Sequence, residues 1–212
     1  MKRILLLLSL GLFLFTVKAQ EDKDLLAKKI LTELSENTKT YKSMSIDFKL
    51  TIKSKEINES QAGKAETKGN KFHYNTTDRE VFCDGETVWS YTKEDNECYI
   101  DDVADIADFN PFEILTIWDE NFNHKYVKEV SVGSNVHEIK LFPANPKESK
   151  YHTIVLTADR NKKQIKKAII KTKDGLTLIF SITSFTANTE MSDSAFKWQK
   201  AKHPGVTEED NR

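Results

Sequence analysis

From Ile46 to Ile100 the chain is a run of short segments of alternating apolar and polar residues, separated by turn signals only a few residues long. That spacing constrains the fold most. Parallel strands need a crossover of a dozen or more residues, usually a helix, and none of these gaps is long enough. The segments therefore pair as an antiparallel meander. The alternation is cleanest in Ser45–Lys53, where Ile46, Phe48, Leu50 and Ile52 predict the inner face of a half-buried strand. Ile57 to Ala62 reads as a polar turn, and Gly63 to Lys68 as a weak, edge-like strand. Phe72, Tyr74 and Thr76 alternate next. Val81–Tyr91 then reads as a hairpin closed by Asp84-Gly85, a dipeptide suited to a two-residue turn. Whether Val81 or Phe82 faces inward depends on the length of that turn, because a one-residue slip exchanges the two faces. Lys93–Asn96 forms the next turn, leading into Glu97–Ile100.

Two helices are expected. Asp24–Tyr41 repeats Leu26, Ile30 and Leu34 at i, i+4, with Lys28, Lys29 and Glu33 on the other side. After an acidic, loop-like stretch (Asp101 to Asn110), Asn110-Pro111 opens a short helix to Trp118. Phe112, Ile114, Leu115, Ile117 and Trp118 surround most of that helix, so it must be covered on two sides or itself cover something. The second half returns to strands at Tyr126–Val132, Val136–Phe142, His152–Ala158, Gln164–Thr172 and Thr177–Phe185, with Asp174-Gly175 as another hairpin signal. The tail carries Phe196 and Trp198 and then turns charged.

The N-terminus differs in kind. Met1-Lys2-Arg3 is a basic start, Ile4 to Val17 is almost wholly apolar, and Val17-Lys18-Ala19 precedes an acidic stretch. This is the pattern of a secretory signal peptide cut after Ala19, leaving residues 20–212 as a single domain. The chain has 32 basic and 33 acidic residues. Removing Lys2, Arg3 and Lys18 leaves 29 against 33, a mildly acidic mature protein with no overall charge that would favour nucleic acid. In an exported chain the pair Cys83 and Cys98 suggests a disulfide. The hairpin register separates them by something on the order of 17 Å along the sheet, which favours free thiols.

No motif points to catalysis. The five histidines make no His-x-x-x-His pair on a helix, no glycine-rich phosphate loop or Gly-x-Ser-x-Gly turn occurs, and the two cysteines lack metal-ligand spacing with the histidines. The chain is expected to be no enzyme and to need no metal or cofactor. The informative feature is the apolar set. A helix packed on a sheet would account for much of it as plain core. The aromatics on adjacent strands and the all-round apolar short helix point further, to a gap between sheet and helices that accepts a lipid chain.

Phe72-His-Tyr, then Phe82-Cys-Asp-Gly-Glu-Thr-Val-Trp-Ser-Tyr91, then Asn110-Pro-Phe112, followed by Phe196-Lys-Trp198 and His203-Pro-Gly-Val206 with Asp210-Asn-Arg212, resemble the outer-membrane lipoprotein carrier family, LolA. The resemblance implies a mainly β fold with helices (α+β), in which a curved antiparallel sheet forms an open half β-barrel and helices cover its concave face as a lid. It implies a periplasmic chaperone that binds the acyl chains of lipoproteins, receives them from an inner-membrane ABC exporter and delivers them to an outer-membrane acceptor, acting as a monomer. An envelope sensor or adaptor that responds to lipid through the same fold is the alternative. The resemblance places Phe48, Phe72, Tyr74, Trp89 and Tyr91 in the cavity and Ile114, Leu115 and Trp118 in the lid; Leu50, Phe180 and Ile182 complete the expected lining. Lys68 stands nearest to an Arg that in the family ties the lid to the sheet, and is expected to make that contact without the forked geometry of a guanidinium.

Overall fold

The computed structural model describes residues 22–104 and 121–212. Helix α1 spans residues 22–39, and the described residues then form twelve strands. These are β1 (Ser43–Lys53), β2 (Asn58–Lys68), β3 (Lys71–Thr76), β4 (Arg79–Cys83), β5 (Thr87–Thr92) and β6 (Glu97–Asp102) in the first half. The second half has β7 (Phe122–Glu129), β8 (Val136–Pro143), β9 (Tyr151–Asp159), β10 (Gln164–Thr172), β11 (Thr177–Ala187) and β12 (Thr207–Asp210). All twelve lie in one curved, unclosed sheet, in the order β12-β6-β5-β4-β3-β2-β1-β11-β10-β9-β8-β7. Two antiparallel meanders, β1–β6 and β7–β11, thus meet where β1 pairs with β11. The expected mainly β, half-barrel architecture is present. The expected helix at Pro111–Trp118 lies outside the described residues.

Register assigns each side chain to a face, because residues paired across strands share one. The inner face takes Ile46, Phe48, Leu50 and Ile52 from β1 and, across the seam, Phe185, Ile182, Phe180 and Leu178 from β11. It continues through Ala168, Leu156 and Ile139 on one side and through Ala65, Tyr74 and Val81 on the other. Helix α1 buries Ala27, Ile30, Leu31 and Leu34 in the same core as Ile139, Leu141, Ile154, Leu156, Ala158, Ile165 and Ala168. It therefore covers the β8–β10 part of that face. Arg160 fixes its flank by a forked pair with Glu33, at 2.8 and 2.9 Å, and Tyr126 N–H donates to Asp24 Oδ1 at 2.9 Å.

Two local expectations are corrected. Residues 57–62 are no turn: β2 pairs with β1 along its whole length, Lys53 with Asn58 through Ser43 with Lys68, and the turn lies at Ser54–Ile57. The alternation of β2 is hidden because its inner positions, Glu59, Gln61, Gly63, Ala65 and Thr67, are polar or small. The hairpin at Asp84-Gly85 is wider than two residues. Cys83 pairs with Val88 instead of Glu86, and Asp84 Oδ1 accepts from Glu86 N–H and Thr87 N–H at 3.2 and 3.0 Å. Cys83 and Cys98 are both free and buried, on opposite faces.

The C-terminal tail leaves β11 at the centre of the sheet and returns to its edge. Crossing from β11 to β12 spans seven inter-strand steps of about 4.8 Å, roughly 34 Å. The residues between Ala187 and Thr207 cover that with slack, taken up by two 3-10 turns, Asp193–Phe196 and Lys200–Lys202. β12 then pairs parallel to β6, Thr207 with Glu97 through Asp210 with Ile100. Asp193 anchors the crossing, accepting from Lys68 Nζ at 2.8 Å and Lys71 Nζ at 2.7 Å. These two ammonium groups bring the Asp193 carboxyl down from 3.8 to about 2. A folded-state pKa below the unfolded one adds stability that is full above about pH 4 and is lost as pH falls towards 2. Tail attachment is therefore expected to weaken over that window, read as a red shift in the Trp198 emission obtained by difference from Trp198→Phe. Asp193→Asn should show the weakened attachment already at neutral pH.

Candidate functional site

Burial along the inner face is uneven. Ile46 and Phe48 are 2% and 5% exposed, whereas Leu50 and Ile52, further along the same strand, are only half-buried. On β11 the inner residues Leu178, Phe180 and Ile182 are half-buried, as are Ile170 on β10 and Tyr74 on β3. Burial of Tyr74 raises its hydroxyl from 10.0 to about 12, against the opposing charge and hydrogen bond of Arg79. Away from α1 the sheet thus presents a strip of apolar side chains that the described residues do not fully cover. A cavity of about 250 Å³ opens at the end of this strip, lined by Leu50, Ile52, Glu59, Ser60, Gln61, Thr77 and Asp78.

Two features make this strip specific. The Phe48 ring lies over Gly63, where a Cβ would come within 2.5 Å of Phe48 Cζ and 2.8 Å of the Asn75 carbonyl oxygen. Glycine there lets Phe48 lie flat and meet Phe180, with ring centroids 4.8 Å apart. Beside Leu50, Gln61 holds Oε1 buried with no hydrogen-bond partner among the described residues. Buried acceptors are nearly always paired, so an unpaired one in an apolar strip marks a place where a donor from outside can fit. Neither residue was singled out from sequence. The only available signal was a polar strand placed next to the cleanest apolar one.

The register divides the sequence-predicted residues. Phe48, Leu50, Phe72, Tyr74, Phe180 and Ile182 share the inner face. Trp89 and Tyr91 do not: they lie on the convex face, in line with Phe82 and Glu80 of β4. The physical reason is the register across β3 and β4, where Phe72 pairs with Cys83 and His73 with Phe82, leaving Val81 inside and Phe82 outside. Tyr91 packs against Trp198 and His203 at 5.3 and 4.6 Å between centroids, and Trp198 stacks on His203 at 4.1 Å. Phe82 stacks on His73 at 4.3 Å, and His73 Nε2 meets Glu80 Oε1 at 2.9 Å, which keeps the Glu80 carboxyl below its usual range. These aromatics clamp the tail. Lys68 belongs to the same clamp, donating to Met191 O and Asp193 Oδ1 at 3.0 and 2.8 Å on the convex face; the lid positions it was expected to meet lie outside the described residues. Ile114, Leu115 and Trp118 lie outside the described residues. Among the described residues no group of three His, Cys, Asp or Glu side chains is placed to hold a metal ion.

The family model for the outer membrane lipoprotein carrier protein LolA matches residues 14–199. The chain belongs to the LolA family. Among solved structures, an uncharacterized conserved protein from Thermus thermophilus shares its fold, with TM-score 0.57 at 10% identity over 86% of this chain and 99% of that one. LprF from Mycobacterium bovis gives a TM-score of 0.48 at 12% identity over 78% and 95% of the two chains. The LolA superfamily protein NE2245 from Nitrosomonas europaea gives 0.42 at 10% over 81% and 97%. No curated protein matches the chain in sequence. Among the described residues the conspicuous feature is the half-buried apolar strip.

Gly63→Ala should push the Phe48 ring off the sheet and lower stability by about 1–3 kcal/mol, the cost of overpacking, measured by urea unfolding. Gln61→Leu should do the opposite. Removing a buried unpaired acceptor at similar volume is expected to raise stability by about 1 kcal/mol in the same measurement.

Proposed function

We propose that this LolA-family protein is a periplasmic carrier that shields the acyl chains of lipoproteins between the inner and outer membranes. The observation that carries the reading is the half-buried strip Leu50, Ile52, Tyr74, Phe180 and Ile182, left open beside the part of the sheet that α1 covers. Each methylene taken from water onto such a surface contributes about 0.8 kcal/mol, so acyl chains supply the affinity without polar contacts. Gln61, at the end of the strip, is placed to take a donor from the polar neck that joins acyl chains to the cargo's N-terminus.

In this reading residues 1–19 are an export signal removed after Ala19, and residues 20–212 form the carrier domain, acting as a monomer with its concave face free. No helix among the described residues is long and apolar enough to cross a membrane. An inner-membrane ABC exporter loads the carrier and an outer-membrane acceptor unloads it. The residues that hold lipid are Phe48, Leu50, Phe72, Tyr74, Phe180 and Ile182, with Ile114, Leu115 and Trp118 as lid positions. The carrier itself needs no covalent chemistry, nucleotide or cofactor.

The test is release of an acylated lipoprotein from inner-membrane vesicles carrying energised exporter. The protein should bring the lipoprotein into solution. Leu50→Asp and Phe180→Asp should each reduce this at least about tenfold, because an unpaired carboxylate beside an acyl chain costs more than ~1.4 kcal/mol. Tyr91→Ala, on the convex face, should lower the melting temperature and leave release intact. Lipoprotein that stays on the membrane with the wild-type protein present would end the carrier assignment.

A further inference from the structure

Five large apolar side chains are exposed among the described residues, and four of them gather at one edge of the sheet. Val127, Val130 and Val132 belong to β7 and the loop that joins it to β8, and they are 39%, 47% and 102% exposed. The fourth, Leu25 at 61%, follows Asp24, whose carboxylate holds the N–H of Tyr126. A register shift between Tyr126 and Lys128 marks a bulge at Val127, and Val132 sits at the tip of a tight loop between Ser131 and Gly133 (φ 76°). Isolated exposed valines need no explanation, but a cluster at a hairpin tip does.

The half of the sheet that bears this tip is basic as a whole, while the hairpin itself balances Lys125 and Lys128 with Glu129 and Glu138. Residues 121–187 carry twelve Lys or Arg against five Asp or Glu, whereas residues 78–102 carry two against nine. The near-neutral chain is therefore polarised across its sheet, basic at the β7–β11 end and acidic towards β6 and β12. The β7–β8 loop is tied to the β9–β10 turn by Arg160 N–H to the Asn135 carbonyl oxygen at 2.9 Å and by Asn135 Nδ2 to Asn161 Oδ1 at 2.9 Å. That turn carries Lys162 and Lys163, next in sequence to the residues that hold Asn135, with Lys163 on the side of α1, where Asn37 Nδ2 donates to its carbonyl oxygen at 3.4 Å. Neither lysine has a carboxylate at ion-pair distance among the described residues, and Lys128 reaches Glu138 only at 3.7 Å.

We propose that this hairpin tip is a docking surface for an anionic lipid bilayer, with Val130 and Val132 entering the headgroup region and Lys128, Lys162 and Lys163 meeting lipid phosphates. Charge complementarity selects an acidic partner. The described residues of the tip carry small apolar side chains and no aromatic one, which selects a fluid partner, since scattered small side chains enter lipid without a matching shape, whereas a protein interface depends on packed anchors. The surface lies on a different part of the fold from the acyl strip and does not depend on it.

The test is co-flotation of cargo-free protein, purified after export, with phosphatidylcholine vesicles containing or lacking phosphatidylglycerol. Binding is expected only to the anionic vesicles, and is expected to fall as salt shortens the Debye length. Lys162→Glu with Lys163→Glu should weaken it by roughly fivefold or more per site. Val132→Asp should weaken it at least about fivefold, and Val132→Ser less, with both variants melting as the wild type does because the side chain is fully exposed. Ile57→Asp, at the fifth exposed position, should change nothing. Equal binding to both kinds of vesicle, no binding to either, or wild-type binding by Val132→Asp would overturn the proposal. So would a self-association, seen by sedimentation, that Val132→Asp abolishes, since a second copy of the chain would then occupy the tip.

Discussion

The pairing of β1 with β11 is the constraint on which the rest depends. It joins strands far apart in sequence, Met44 with Ala187 through Lys53 with Thr177, and turns two local meanders into one sheet. Everything else in the sheet is cheap in loop entropy, because each neighbouring strand is also a neighbour in sequence, apart from β12. The seam also sets the site. It places Phe48 over Gly63 and against Phe180, and aligns Leu50 and Ile52 with Phe180 and Leu178, so the apolar strip is shared between the two halves of the chain.

The two faces of the sheet have different occupants, and this division explains how one sheet has both a closed core and an open strip. On the concave side α1 closes the part over β8–β10. On the convex side the tail closes the part over β3–β6, with Phe196 fully buried, Trp198 held by Glu208 Oε1 at 2.7 Å, and Val206 buried before β12 begins. β12 also covers the edge of β6, whose backbone groups would otherwise offer a template for another strand. Fixing the sheet from behind relieves the half-buried concave strip of part of the work of stabilising the fold.

Much of this was legible in the sequence, and the misses share one cause. The helix, β1 and β8–β11 follow from periodicity, since each buries one face against a single layer. The strands β3–β6 are covered on both sides, by the concave core and by the tail, so they carry apolar residues on both faces: Phe72, Val81 and Val88 inward, Phe82, Trp89 and Tyr91 outward. Alternation there shows that two faces exist and does not say which one meets a ligand. Trp89 and Tyr91 were legible as important, but not the face on which they lie, where Tyr91 meets the tail. The tail contacts of Lys68 were hidden for a related reason, because its partners Met191 and Asp193 arrive from more than a hundred residues away. Gln61 and Gly63 were illegible because a strand whose inner positions are small or polar looks like a turn when its partner's side chains are not in view.

In the proposed reading, a carrier of acyl chains also has to let them go. Transfer from bilayer to protein exchanges one apolar environment for another, so the roughly 0.8 kcal/mol per methylene that opposes exposure to water nearly cancels between the two. What is left is decided by smaller terms: the fit of the chain against Phe48 and Phe180, the partner found by Gln61, and the exposed apolar area that loading removes from water. Side chains that are half-buried when the site is empty already have part of their surface out of water, so loading gains less than it would on a fully exposed strip. A partly covered strip therefore holds its cargo firmly against water and only weakly against another lipid-like site, which is the condition for handing it on.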